Sequence, residues 1–275
     1  MRPVLALLVS FLLVSAPVLA ADPPKPAEPA VKIKPKEAPS SSSRVRGEGA
    51  SSEGGSLLAP DTDNIDAPTA AVLDYGGYSS RTRFYAKGGM LEYANFGVFQ
   101  SLNLGASLTV DGLVGDDRTV RMRAPSAQVK YRFYDGDRVI PAFAVGYDGQ
   151  GYDYNNTDKR YNHRQRGFYV VGTQELGLPG FEIHPSINIS DFDTNSFFGS
   201  IPLSYNIRDK AKIMAEWDNI NNFSDSRFNA GLRAYVTPHF HVDFAVRGIG
   251  QGGHFGNGDS RGPERVVQLR YSGNF

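Results

Sequence analysis

The chain has 275 residues, with 29 Lys and Arg against 29 Asp and Glu, and so no formal net charge. That balance argues against a nucleic-acid binder. The absence of cysteine excludes disulfides, thiolate metal sites, Fe–S clusters, cysteine nucleophiles and a lipidated cysteine anchor. Beyond residue 20 no apolar run reaches the ~18 residues of a membrane helix, which leaves a closed β-barrel as the membrane-spanning form open to this sequence.

Residues 1–20 read as an export signal: Arg2 supplies the positive start, residues 5–14 form an apolar stretch, and Val18, Leu19 and Ala20 precede a cut before Ala21. Residues 21–66 have a different composition. They hold Pro23, Pro24, Pro26, Pro29, Pro35, Pro39 and Pro60, the serine run 40–43, and no aromatic residue. A segment with so little apolar area cannot offset its ordering entropy, so 21–66 is expected to be a disordered periplasmic linker. Lys32, Lys34 and Lys36 could contact peptidoglycan, lipopolysaccharide or a partner, but a solvated tether is the better reading. Every Tyr, the single Trp and every Phe except Phe11 lie from Tyr75 onward, which sets 67–275 apart as one domain.

That domain has strand periodicity almost throughout. Twelve segments are predicted as strands: 78–86, 89–98, 102–110, 126–134, 139–147, 166–175, 180–190, 195–207, 210–218, 226–236, 239–248 and 264–275. In the last, Val267, Leu269, Tyr271, Gly273 and Phe275 share one face and Gln268, Arg270, Ser272 and Asn274 the other. In 210–218, Ala211, Ile213, Ala215 and Trp217 oppose Lys212, Glu216 and Asp218. The faces of 89–98 and 166–175 are not assignable, because apolar residues fall on both. Residues 111–125 leave room for a short helical turn.

Connection lengths sort by parity. Gln100–Ser101, 135–137, 176–179, 208–209 and 237–238 are short and follow even-numbered strands, whereas 111–125, 148–165 and 249–263 are long and follow odd-numbered ones. Outer-membrane barrels show this asymmetry, with short periplasmic turns and longer outer loops. The fold expected is therefore all-β: a single antiparallel transmembrane β-barrel of about twelve strands behind a signal peptide and a disordered arm. Trp217, Tyr131, Tyr205 and Tyr271 are candidates for interfacial aromatic belts.

The polar faces of these strands nominate lumen-facing residues: Arg83, Lys130, Arg132, Glu182, His184, Lys212, Glu216, Asp218, Arg227, Arg233, His241, Asp243, Arg247 and Arg270. Opposite charges among them either pair and fill a narrow bore or line a solute path whose basic excess favours anions. His239, His241 and Asp243 share one strand face, a spacing compatible with a metal but better read as lumenal hydrogen bonding. Residues 191–196 start like a calcium loop, yet Ser196 replaces the turn glycine and Pro202 stands at the twelfth position, so an ordinary Asp/Asn turn fits better. Loop 146–165 mixes Tyr with Asp, Asn and Gly and is suited to sugars, or merely soluble. The Gly-rich stretch 248–257 has no following helix to make a phosphate cradle, and no nucleophile elbow marks a serine. Neither catalytic residues nor a cofactor nor a metal is expected.

Phe96, Gly97, Val98 and Phe99, then Leu102 to Gly105, then Val129 to Phe133, then Pro141 to Gly146, together resemble the YjbH-type outer-membrane proteins associated with exopolysaccharide gene clusters. The similarity spans roughly 80–250 in strand and turn patterns. It implies a non-enzymatic role in secretion or assembly of extracellular polysaccharide, with polysaccharide or a polysaccharide-export complex as partner. A general small-solute pore is the alternative, and an outer-membrane lipid-modifying enzyme with a lipid-facing Ser–His pair a third. The terminal Phe275 strand fits recognition by barrel-assembly machinery, and lipid and lipopolysaccharide are expected around the barrel in the outer membrane of a Gram-negative-type bacterium.

Overall fold

The computed structural model describes residues 58–114, 119–155, 159–163, 166–189, 197–221, 226–252, 254 and 262–275. The export signal, the arm as far as residue 57, the calcium-like stretch 191–196, and residues 253 and 255–257 of the Gly-rich stretch lie outside the described residues.

Twelve staves make the wall. They are β1 (Gly77–Tyr85), β2 (Gly89–Phe99), β3 (Leu102–Asp111), β4 (Ser126–Tyr134), β5 (Ala142–Asp148) and β6 (Gly167–Glu175). The next is β7, formed by Phe181–Ile183 and Ser186–Ile189 on either side of Pro185. The rest are β8 (Phe197–Ile207), β9 (Ala211–Asp218), β10 (Arg227–Tyr235), β11 (Phe240–Ile249) and β12 (Glu264–Asn274). Each pairs antiparallel with its sequence neighbour, and β12 pairs with β1, so the sheet closes. Closure satisfies the backbone N–H and C=O groups that hydrocarbon cannot. The interruption in β7 follows from Pro185, which lacks an N–H; its carbonyl still accepts from Gly172 N at 2.9 Å, so the ladder continues past it.

The twelve predicted strands all have counterparts in this ring, and their starts agree within two residues except in one case. β5 begins at Ala142 and not at Val139. Asp137 makes the difference: its carboxylate accepts the backbone N–H of both Val139 and Ile140 at 2.7 Å, capping a turn that runs to Pro141. The N–H groups of Ile140 and Val139 hold that carboxyl below its usual range. Loop 111–125 contains no helical turn among its described residues; Arg121–Met122 instead pair with the end of β3. In loop 148–165, Tyr152–Asn155 and Arg160–His163 form a small hairpin.

Outward positions are apolar. Phe84, Phe168, Phe197, Trp217 and Phe228 are exposed near the long-loop rim, and Phe96, Tyr131, Phe133, Tyr205 and Tyr271 near the short-turn rim. Phe275 stacks into the second girdle, 4.9 Å from the Tyr78 ring and 6.4 Å from Phe96. Exposed aromatic girdles around an apolar band are the surface of a membrane barrel, so the chain is a transmembrane β-barrel of the outer-membrane type. A polar patch on β1 and β2 breaks the pattern. Glu92 shares the lipid face with Met90 and Ala94, and its carboxylate accepts from Ser80 Oγ at 2.6 Å and from Thr82 Oγ1.

The lumen is not empty. Residues 58–74 enter it ahead of β1 and fold as a hairpin: Asp63 bridges Pro68, Thr69 N donates to Thr62 O at 3.2 Å, and Asn64 N donates to Ala67 O at 3.0 Å across the tip. Asn64, Ile65, Ala67, Thr69, Ala70, Val72 and Leu73 are buried. The linker boundary at 66 therefore needs correction. Residues 58–66 belong inside the barrel, because the wall supplies the partners that their own composition lacks. Both ends of the hairpin lie at the short-turn mouth, with Asp61 beside Tyr235 and Leu73 N on Asn103 Oδ1. Gly97 permits the exit, since a Cβ there would sit 2.0 Å from the Asp74 carbonyl oxygen. A lipid-facing carboxylate is costly, so Glu92→Leu should raise unfolding stability by roughly 1 kcal/mol. The readout is the temperature at which the compact SDS-gel band is lost, and a lower temperature would contradict the lipid-facing placement.

Candidate functional site

The site is the contact between the hairpin and the wall. Strand alternation sends every second side chain inward, so each stave presents a vertical row of polar groups to the same segment. Asp61 pairs with Lys212 Nζ at 2.6 Å and with Arg233, and accepts from Tyr235 OH at 2.8 Å. Asp63 pairs with Arg81 and Arg270. Asp66 pairs with Arg83 at 2.7 Å and with Arg247. Each hairpin carboxylate thus lies between two wall cations, the arrangement that offsets the desolvation of a buried charge.

Backbone groups are matched as closely. Lys130 Nζ donates to the carbonyls of Thr62, Thr69 and Ala71 at 2.6, 3.1 and 3.2 Å. Arg233 and Arg270 donate to Asn64 O at 3.1 and 2.9 Å. At the tip the polarity reverses: the N–H groups of Ile65, Asp66 and Ala67 converge on Glu216 Oε1 at 2.8, 3.0 and 2.9 Å. Three successive amides around one oxygen form an anion-binding nest, filled here by a wall carboxylate. Asn229 holds that carboxylate from the other side at 3.1 Å. Apolar anchoring places Ile65 against Met214, Ala245 and Val266, and Ala70 against Ala144, Tyr169 and Val171.

These packing contacts explain the two unassignable strands. β2 turns Leu91 and Tyr93 inward, where they pack with Tyr85, while Glu92 points outward. β6 turns Tyr169 and Val171 inward beneath Ala70. Opposite Tyr169, Gly146 is required because a Cβ would lie 2.4 Å from the Tyr169 ring.

Arg83, Lys130, Lys212, Glu216, Arg233, Arg247 and Arg270 touch the hairpin directly. Asp243 lies behind it, bridging Arg233 at 2.8 Å and Arg270 at 2.6 Å. Asp218 binds Arg227 at 2.9 Å nearer the long-loop mouth, and Arg132 binds Asp135 at 2.8 Å at the short-turn rim. Glu182 lies 3.6 Å from Lys212. His184 links Thr173 Oγ1 at 3.0 Å to Ser204 Oγ at 3.1 Å, and Thr173 accepts from Ala70 N, so this histidine braces the hairpin through a hydroxyl. The His184–Ser204 pair lies in the lumen, not at the lipid-facing outer rim that a lipid-modifying enzyme needs. His241 packs edge-on against Tyr235 at 4.6 Å, and His239 Nδ1 contacts Ser272 O at 3.0 Å. With Asp243 committed to two arginines, the histidine pair and that carboxylate do not converge, and no metal cluster occurs among the described residues.

Sequence reasoning missed Asp61, Asp63 and Asp66. The available signal was the alternation Asp61-x-Asp63, then the turn-forming Asn64 and Asp66, ahead of the apolar run 70–73. Between the hairpin and the wall lies a cavity of about 110 Å³, bordered by Arg81, Tyr93, Gln128, Asp148, Arg166 and Tyr169. Arg81 lies over the Tyr93 ring, 3.9 Å from its centroid.

No family model matches the chain, and no curated protein matches it. Among solved structures, the chain is similar to the KdgM porin (8% identity, TM-score 0.46, over 71% of this chain and 98% of that one). It is also similar to the NanC porin (8%, 0.39, 72% and 99%) and to OmpT of Vibrio cholerae, an outer membrane protein in trimer form (12%, 0.31, 72% and 98%). No residue role is carried over from any of them.

Arg233 is 0% exposed and serves both Asp61 and Asp243. Arg233→Ala leaves two buried carboxylates short of a partner and should cost about 3–5 kcal/mol, whereas Arg233→Lys should recover part of that. Urea unfolding in detergent reads both, and a near-neutral alanine variant would show that the pairs do not hold the lumen.

Proposed function

We propose that the chain is a non-enzymatic outer-membrane channel for small anionic solutes, held in this structure with its own hairpin in the path. The observation that carries this reading is the inner wall. Arg81, Arg83, Lys130, Lys212, Arg233, Arg247 and Arg270 point into the bore around a separate chain segment, and together with Arg166 and Arg227 they outnumber the wall carboxylates Asp148, Glu182, Glu216, Asp218, Asp243 and Glu264. An excess of wall charge of one sign in a narrow lumen favours the opposite ion. A barrel that served only as an anchor would gain more by filling its bore with apolar side chains than by burying this many cations.

The test is ion conduction through the purified protein in planar bilayers under a potassium chloride gradient. The expected result is infrequent openings whose reversal potential lies on the chloride side, and a smaller chloride preference in Lys130→Gln. Cation-selective openings would contradict the anionic substrate class.

Polysaccharide export, the role that the YjbH-type resemblance implies, is the second reading. What favours it is the hairpin in loop 148–165, where Tyr154 and Tyr161 meet edge to face at 5.2 Å and Arg123 lies 4.2 Å over the Tyr154 ring. Aromatic rings with flanking polar groups suit sugar faces. Tyr154→Ala with Tyr161→Ala should then lower exported polysaccharide while leaving chloride conduction intact; unchanged export would remove this reading.

A further inference from the structure

We infer that hairpin 58–74 is a displaceable plug, an acidic peptide ligand built into the chain, which the basic wall holds in the lumen and releases toward the short-turn mouth. The inference deepens the channel reading and rests on it only for what passes once the hairpin has left. Four observations carry it.

First, the hairpin is a guest in the sheet. Among the described residues no backbone hydrogen bond joins residues 61–73 to a strand; backbone contacts resume with Gly76 N on Gly97 O and Gly77 N on Asp74 O. What holds 61–73 to the wall is side-chain contact, so withdrawal breaks no rung of the barrel. Second, both of its ends lie at one mouth, marked by Asp61 on Tyr235 and Leu73 on Asn103. The segment therefore leaves as a loop, without threading chain through the bore. Third, its contacts are those of an anionic ligand on a receptor. Asp61, Asp63 and Asp66 each bind two wall cations, and Lys130 reads three carbonyls. Fourth, the fit is incomplete. Asn64 is fully buried at the tip, and neither its amide oxygen nor its amide nitrogen has a partner. The cavity of about 110 Å³ runs beside Asp63, Asp66 and Pro68, so the hairpin is not packed on all sides. Ions exchange readily from such pairs once water and competing anions reach them, because a charge-assisted contact given up to water is replaced by hydration.

The chain has no cysteine, so one introduced thiol reports one position. Ile65→Cys in the full-length protein, reconstituted in liposomes, places that thiol at the buried tip. A charged, membrane-impermeant maleimide should label it slowly. Adding Asp61→Asn, Asp63→Asn and Asp66→Asn should make labelling faster by about tenfold or more and should multiply channel openings in planar bilayers. A free peptide of residues 58–74, added on the short-turn side, should suppress those openings, and the same peptide with the three Asn substitutions should not.

Labelling that stays as slow in the triple variant as in Ile65→Cys alone would overturn the plug. So would steady full conductance of the Ile65→Cys protein while its introduced thiol stays protected. If the triple variant loses its heat-dependent SDS-gel shift, Asp61→Asn alone, at the mouth end, takes its place, and unchanged labelling there would overturn the plug equally. Faster labelling without any conductance supports the displaceable hairpin and sinks the channel reading instead. Faster labelling with cation-selective openings supports the hairpin and sinks only the choice of anions.

Discussion

A barrel in a membrane turns its apolar residues outward, and its interior must be organised by something other than a hydrophobic core. Here that constraint is met by charge. Three carboxylates on one short hairpin, Asp61, Asp63 and Asp66, lie between three pairs of wall cations on β1, β9, β10, β11 and β12. Bare, the cations of those strands would repel one another across a narrow bore. With the hairpin in place, each is paired or bonded to a carbonyl, and Glu216 is satisfied by three backbone amides. The cluster around Ile65 adds the burial of one large side chain, worth roughly 1.5–3 kcal/mol, which sets the height of the tip without dominating the contact.

The magnitudes explain how such a contact is both specific and reversible. Truncating one member of a buried pair strands its partner and costs about 3–5 kcal/mol. Withdrawing the hairpin whole is a different process, because both members of every pair are rehydrated, and the regained hydration offsets the lost Coulomb attraction. Wall substitutions therefore act as stability defects, while hairpin movement is a balance of opposing terms. That separation is what a gate requires, and a barrel whose occupant was woven into the sheet could not have it.

Much of this architecture is legible in the sequence, for a physical reason. Lipid outside and water inside impose strict alternation on every stave, so Val267, Leu269 and Tyr271 against Gln268 and Arg270 fix the faces of the last strand without reference to any other residue. Loop parity follows from the same closure. Arg83, Lys130, Lys212, Glu216, Arg233, Arg247 and Arg270, which hold the hairpin, were accessible because inward orientation is a property of the local repeat. What stays hidden is whatever depends on a distant partner. Residues 58–66 look disordered because they contain no aromatic residue; their order comes from wall residues as near in sequence as Arg83 and as far as Arg270. β2 and β6 defy assignment because their inward apolar residues pack on each other or on Ala70. The late start of β5 depends on a side-chain turn at Asp137 that alternation does not encode.

The claim on which the rest depends is that Ile65 lies inside the closed barrel. The most direct measurement is methyl-to-methyl NOE spectroscopy of the full chain in nanodiscs, with Ile, Val and Met methyls selectively labelled. The structure predicts cross-peaks from the Ile65 δ-methyl to the Met214 and Val266 methyls, which come together only if the hairpin occupies the lumen. A sharp Ile65 methyl signal at an unfolded chemical shift, with no cross-peak to either residue, would contradict it.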